Sequence, residues 1–374
     1  MKKQLVSILT AGCLMAAMVP AAFAADASDL QARIDAAAPG AVVNLEGDET
    51  ISTPIIINKP ITLDGNQNTL TMTGGDFAIK VQTDGEVIVK ELTINATETG
   101  GRGVRLSTTK PNFTLSDCTL TVDNRGIGFS DDGSVAGASV LVEDSTIENS
   151  QKPDDKTYDN WTCHTDTRGI AMWNNTGTQV TIDNSTIQGF AYTINLAGDM
   201  NSDGIRDFTG TTISVENGSI LKGWTAFNVW SANTTFNISD STLKGINVSN
   251  GPSDGFSTIV VNDDIYGYGW GRADKNVFNI YGGTITNYRG GSASEELFRV
   301  DDKGITEVNF FLYEEEVPVS IIDGSGDSVA VFNSGYSMLP DDWIEYMSLK
   351  VHGTDYCIAE NSEGGELPFI PNQF

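Results

Sequence analysis

Between Leu63 and Ile285 the chain repeats one short phrase: an apolar residue, two or three polar turn-formers, then Thr or Ser followed by an aliphatic. It reads "LSDCTL" (115–120), "VEDSTI" (142–147), "IDNSTI" (182–187), "VENGSI" (215–220), "ISDSTL" (238–243) and "IYGGTI" (280–285). Looser forms are "VKELTI" (89–94) and "LDGNQNTL" (63–70). The closing aliphatics Leu70, Ile94, Leu120, Ile147, Ile187, Ile220, Leu243 and Ile285 are separated by 24, 26, 27, 40, 33, 23 and 42 residues. The short intervals set a coil of about two dozen residues, and the long ones carry insertions. Each period holds three clusters of alternating apolar residues, such as "RGVRLS", "NFTLSD" and "CTLTVD" between Arg102 and Asp123. Period-two alternation is the mark of a strand with one buried face. Three short strands per coil, over about eight or more coils, predict an all-β parallel β-helix, because no coil can bury its inner face alone.

The ends need covers. Residues 28–38, "SDLQARIDAAA", place Leu30, Ile34 and Ala37 or Ala38 on one helical face, with Ser28 as N-cap and Gly40 just past the end. Such a helix caps the open first coil, whose bare edge would invite aggregation. The expected organisation is one β-helix domain over 25–374, with its N-terminal cap at 25–40 and coils over 41–308. From Asn309 onward the phrase is lost, so 309–374 is expected to be an irregular C-terminal coil and cap.

The stretch "LQARIDAAAPGAVVNLEGDETISTPIIINKPITLDGNQNTL" resembles the opening of the pectate-lyase-like parallel β-helix superfamily: a capping helix, a first strand, then "KPITLDG". The resemblance implies a right-handed coil and covers most of the chain. It specifies fold far better than activity, because that superfamily contains lyases, galacturonases, epimerases, tailspikes and non-catalytic surface proteins.

Aligning the first strand of each coil gives "FAIKVQ" (77–82), "RGVRLS" (102–107), "RGIGFS" (125–130), "RGIAMW" (168–173), "YTINLA" (192–197), "TAFNVW" (225–230) and "STIVVN" (257–262), with "ELFRVD" (296–301) less regular. Ile170 and Met172 then face the core, and alternation turns Gly169, Ala171 and Trp173 outward. One outward column reads Lys80, Arg105, Gly128, Ala171, Asn195, Asn228; another reads Gln82, Ser107, Ser130, Trp173, Ala197, Trp230. Two rungs separate the tryptophans, about 10 Å at the spacing of parallel strands, close to the length of a disaccharide. Indole faces beside the amides of Asn195 and Asn228, with Arg105 in the same column, suit a sugar's C–H face and hydroxyls. The resemblance implies a saccharide groove on this same strand face. The plainer reading is that each tryptophan folds over its own turn.

Loops flank these coils. The insertion "QKPDDKTYDNWTCHTDT" (151–167) precedes Arg168 and holds His164. After Ala197 comes "DMNSDGIRD", where Asp199, Asn201, Asp203 and Asp207 sit at positions 1, 3, 5 and 9 with Gly204 at 6. That spacing matches the start of a calcium loop, in which short oxygen ligands curl around a hard cation. The bidentate Glu expected at position 12 is replaced by Gly210. Arg102, Arg125 and Arg168 start three consecutive first strands, which fits either an anionic sugar or pairing with local acids; pairing is the simpler reading in so acidic a chain.

With 22 basic and 50 acidic residues the formal charge is −28, which disfavours nucleic acid and anionic membrane surfaces. Lys2 and Lys3, an apolar run from Leu5 to Val19 and Ala22-Phe23-Ala24 read as a bacterial secretory signal over 1–24. Leu9-Thr10-Ala11-Gly12-Cys13 loosely resembles a lipoprotein site, but the apolar run continues past Cys13, so secretion is the expectation. No later stretch is apolar enough for membrane insertion. Cys118, Cys163 and Cys357 would remain, an odd number that excludes a full disulfide framework and leaves one bridge, such as Cys118 to Cys163, open.

The expected function is binding of an extracellular glycan, with calcium shaping one rim. By resemblance, a lyase would use calcium on a uronate and a basic side chain to take the C5 proton, for which Arg168, His164 or Lys80 are candidates by neighbourhood. The superfamily's Trp-Ile-Asp-His segment and Arg-Pro signature do not occur. Hydrolysis is disfavoured by the same resemblance: galacturonases of the superfamily carry a Gly-His-Gly segment, and the chain's two histidines, His164 and His352, form none. A rigid surface rod is the third possibility.

Overall fold

The computed structural model describes residues 27–129, 135–152, 167–173, 175–197, 207–247, 258–261, 275–289, 298–300, 306–311, 319–323, 347–352, 356–360 and 366–371. Over them the chain winds as a right-handed parallel β-helix, each coil giving one strand to each of three parallel ladders. One ladder holds eleven strands, from Ala41–Asn44 to Met347–His352. A second, here the Trp173 ladder, stacks Ile55–Ile57, Phe77–Val81, Arg102–Leu106, Arg125–Phe129 and Arg168–Trp173, then the later halves of Thr186–Ala197 and Ile220–Val229. The third begins at Glu49–Ile51 and Thr69–Met72 and shares those two long strands, which bend across both faces.

The repeat phrase is a corner between the eleven-strand ladder and the third ladder. Its Asp or Asn sits in the left-handed backbone region, with φ of 50° at Asp117, 46° at Asp144, 43° at Asn184 and 41° at Asp240. Short polar side chains tolerate that conformation best after glycine. The chain then turns the next residue inward, where its backbone N–H is buried and must be paired. The serine of the following coil does this: Cys118 N–H donates to Ser145 Oγ (3.0 Å), Ser145 N–H to Ser185 Oγ (3.0 Å) and Ser185 N–H to Ser219 Oγ (3.1 Å). Each hydroxyl donates in turn to a carbonyl of its own corner, Ser145 to Glu143 and Ser185 to Asp183, both at 2.7 Å. The recurring Asp-Ser-Thr is therefore a hydrogen-bonding device.

Past the corner, Leu70, Ile94, Leu120, Ile147 and Ile187 form one inward column. At the next coil Leu221 continues it, not Ile220, which is 37% exposed. The extra corner residue in Asn217-Gly218 delays the inward turn by one place. Higher up the core becomes aromatic, with Phe236 and Phe278 stacked at 4.3 Å in register and Phe227 meeting Phe236 edge-on at 5.1 Å.

Helix α1 spans Ala27–Ala36 and buries Leu30 and Ile34 completely against the first coil. It starts one residue before Ser28, which is therefore inside the helix and not its N-cap. The parallel ladders continue beyond Val308 through Thr306–Phe311, Val319–Asp323 and Met347–His352. An antiparallel pair, Tyr356–Glu360 with Glu366–Pro371, follows. Cys118 is a buried free thiol in the corner ladder, contacting Val89 O and Ser116 O, so it takes no part in a bridge. Among the described residues, no helix is long and apolar enough to cross a membrane.

Candidate functional site

The Trp173 ladder has the register that its sequence alignment implies. Lys80, Arg105, Gly128, Ala171, Asn195 and Asn228 lie in one outward column. Trp173 pairs with Ala197, and Trp230 donates its backbone N–H to Leu196 O at 2.9 Å, which seats it on the far side of Ala197. The two tryptophans thus stand two rungs apart, about 10 Å, and both are half-buried.

Alternation fails at one place. A side-chain carbon on Gly169 would press into Ile187 Cγ2 and approach Phe190 Cδ2, both core atoms, so Gly169 faces inward next to inward Ile170. Gly103 and Gly126 do the same against Leu120 and Ile147. The strand bends at these glycines. The preceding arginine and the residue two places after the glycine both turn outward, and the column containing Trp173 keeps its predicted side.

The backbone of Trp173 is tied to its turn. Its backbone N–H donates to Asn175 Oδ1 (2.5 Å), and Asn175, fully buried, donates from Nδ2 to Val135 O (3.1 Å). The indole Nε1 is turned away from solvent and makes no hydrogen bond to any of the described residues. Asn195 and Asn228 are 5% exposed each, and Asn228 Nδ2 donates to Asn195 Oδ1 at 2.7 Å. These amides form a ladder along the column and have little surface left for a ligand. Lys80 and Arg105, lower in the same column, are half-buried.

Arg102, Arg125 and Arg168 are in register, between Phe77 below and Tyr192 above. The Arg102 and Arg105 guanidinium carbons lie 5.3 and 5.9 Å from the Phe77 ring centre, and that of Arg168 lies 5.7 Å from the Tyr192 ring. Cations over aromatic faces are attracted by the ring quadrupole. The Phe77 ring reaches across to Gly128, where a side-chain carbon would stand 2.7 Å from its tip. This platform was not anticipated from sequence; its signal is an aromatic in the arginine column with a glycine two coils later. Lys80 Nζ donates to Asp76 Oδ2 at 2.8 Å. Burial pushes the Asp76 carboxyl up, but hydrogen bonds from Lys80 and Phe77 N–H, with the charges of Lys80 and Arg102, bring it below its ordinary value. Of the three arginines in register, Arg102 is near enough to Asp76 for its charge to act on that carboxyl.

Lys80 lies three rungs below the row of Ala171, about 14 Å, so Lys80 and Arg168 do not share one reaction centre. His164, Asp199, Asn201 and Asp203 lie outside the described residues. Asp207 opens the strand Asp207–Glu216, in register with Ala232. Among the described residues no group of three or more His, Cys, Asp or Glu side chains is gathered as a metal ion would require.

No described protein family matches the chain, and no curated protein matches it. Two solved structures resemble it. One is "ORF18" of Geobacillus virus E2, at 12% identity and a TM-score of 0.39, covering 79% of this chain. The chain spans 50% of the length of that viral protein. The other is an alginate lyase from Paenibacillus sp. str. FPU-7, at 14% identity and a TM-score of 0.39, covering 82% of this chain and 98% of the lyase. At this distance neither name bears on what this chain does.

Proposed function

We propose that this chain is a secreted protein that binds an extracellular glycan along the outside of the Trp173 ladder. The observation that carries the proposal is the column Trp173–Ala197–Trp230: two half-buried indoles in register on a rigid ladder, with a small residue between them. Stacked strands fix the separation of the rings, so a sugar chain lying along the axis would meet both at no ordering cost to the protein.

Catalysis is not part of this proposal. Lys80 is held by Asp76 and stands about three rungs from the Trp173 row, too far to act as a base on a sugar held there. Calcium enters through the loop 199–207, and only as a variable of the test.

The test is a tryptophan-fluorescence titration of the mature protein against acidic and neutral polysaccharides, with and without calcium, followed by an assay for unsaturated ends. A saturable change that is lost in Trp173→Ala/Trp230→Ala is the expected result. Silence across the panel would sink the proposal and leave a structural rod. Release of unsaturated ends would replace it with a lyase.

A further inference from the structure

The inward column of the third ladder is aliphatic from its second coil onward, through Leu70, Ile94, Leu120, Ile147, Ile187, Leu221, Leu243 and Ile285. At its first rung, in register with Leu70, stands Glu49, 2% exposed. A carboxylate at the head of an aliphatic column needs a reason, because burying an ionised acid is costly unless it is fully paired.

The partner comes from the cap. Arg33 of α1 donates from Nη2 to Glu49 Oε1 at 2.5 Å and from Nη1 to Asn44 O at 2.7 Å. Glu49 Oε2 is buried and has no hydrogen-bond partner among the described residues. The other charged groups acting on Glu49 are acids: Asp29 on the helix, and Glu46 in the turn before the strand, whose carboxylate lies 3.9 Å from Arg33 Nη1. Both disfavour a charge on Glu49. Burial raises the Glu49 carboxyl above its ordinary value, and the hydrogen bond and charge of Arg33 oppose that rise without cancelling it.

We propose that Glu49, buried beneath α1 with Arg33 on one carboxyl oxygen and the other oxygen shut away from water, acts as a pH-responsive latch on the N-terminal cap: docking of the helix is firm while the carboxyl is neutral and loosens once a desolvated, half-paired carboxylate must sit there. An acid raised in the folded state contributes stability that is fully present below its unfolded value of 4.5 and is lost as pH rises through the folded value. The latch therefore tightens in acid and weakens toward neutral pH. Loosening it uncovers Glu49–Ile51 and Ile55–Ile57, the strands that α1 packs on. That is the open edge on which another parallel coil could pair.

Amide hydrogen exchange over Ala27–Ala36, corrected for the intrinsic rate, reads the latch directly in the full chain from about pH 4 to about pH 7, a span that starts near the ordinary glutamate value. Wild type should lose protection in the helix as pH rises. Arg33→Met/Glu49→Leu, which continues the aliphatic column, should keep the same protection at both ends of the range. Glu49→Gln keeps the shape and an acceptor for Arg33 while removing the titration, and should also be flat; it serves if the double variant does not fold. A pH-independent wild type, or a Glu49→Gln variant as pH-sensitive as wild type, would overturn the proposal and assign any sensitivity to Asp29, Glu46 or other acids.

Discussion

Gly126 and Gly169 sit one above the other on adjacent coils, so close that a side-chain carbon on Gly126 would stand 2.6 Å from the Gly169 carbonyl oxygen. That oxygen is backbone and belongs to a paired ladder, so it cannot move aside as a side-chain tip would. Gly126→Ala should therefore destabilise by about 1–3 kcal/mol through overpacking. Gly47→Ala is the control, because a side-chain carbon there would meet nothing within 4 Å, and it should stay within about 0.5 kcal/mol. Denaturant midpoints compared at constant slope would decide between them.

The same glycines mark where sequence reasoning stopped. The register of the Trp173 ladder was legible, because Ile127, Ile170, Ile194 and Phe227 repeat in phase and a slipped register would turn them to solvent. The facing of Gly169 was not legible, since a residue without a side chain carries no apolar or polar signal and conceals a bend. Ile220 misled for a related reason: in "VENGSI" one added corner residue shifts the phase, and an aliphatic then occupies an outward place held elsewhere by threonine. In the sequence Phe77 marks only the start of a strand, because its lateral reach over Gly128 depends on a neighbour 51 positions along the chain.

The corner ladder predicts an asymmetry between hydroxyls. Ser185→Ala removes the acceptor of the buried Ser145 N–H and the donor to Asp183 O, and should cost about 1–3 kcal/mol, the penalty of an unsatisfied buried group. Cys118→Ser places at the ladder's first rung the hydroxyl that its later rungs use, and should change stability by less than about 1 kcal/mol. Thermal unfolding of the two variants side by side checks both.

Burial pushes the Cys118 thiol up to about 12, chiefly by desolvation. It therefore stays neutral through the physiological range, and the thiolate is the reactive form. Native protein should leave Cys118 unmodified by a thiol reagent at mildly alkaline pH, whereas unfolded protein should react fully. Peptide mapping after labelling in the two states reads the difference, and rapid labelling of Cys118 in the folded chain would show that its corner is open.

Asp76 is held below its ordinary value of 3.8 despite burial, by Lys80, by Phe77 N–H and by Arg102. Its contribution to stability is present above that ordinary value and is lost as pH falls through the lower folded value. Lys80→Met removes a hydrogen bond and a charge together, so the Asp76 carboxyl resonance should titrate at higher pH in the variant. An unchanged titration would mean that Phe77 N–H and Arg102 hold the carboxylate without Lys80.

The tryptophan column makes a prediction about coupling as well as affinity. If one sugar chain lies across both rings, each indole positions the chain for the other. Trp173→Ala and Trp230→Ala should then each weaken binding by about tenfold or more, about 1.4 kcal/mol. The double variant should lose less than the sum of the two, because residues acting on one ligand are not additive. Independent turn covers would instead lower thermal stability additively and leave affinity alone. Ala197→Leu sharpens the contrast, because it alters neither indole but fills the rung between them. On a bridging site it should obstruct the ligand with little change in stability, since Ala197 is half-buried on the outer face. Calorimetric titration of the four variants against whichever polysaccharide the panel identifies would separate a groove from two decorated corners.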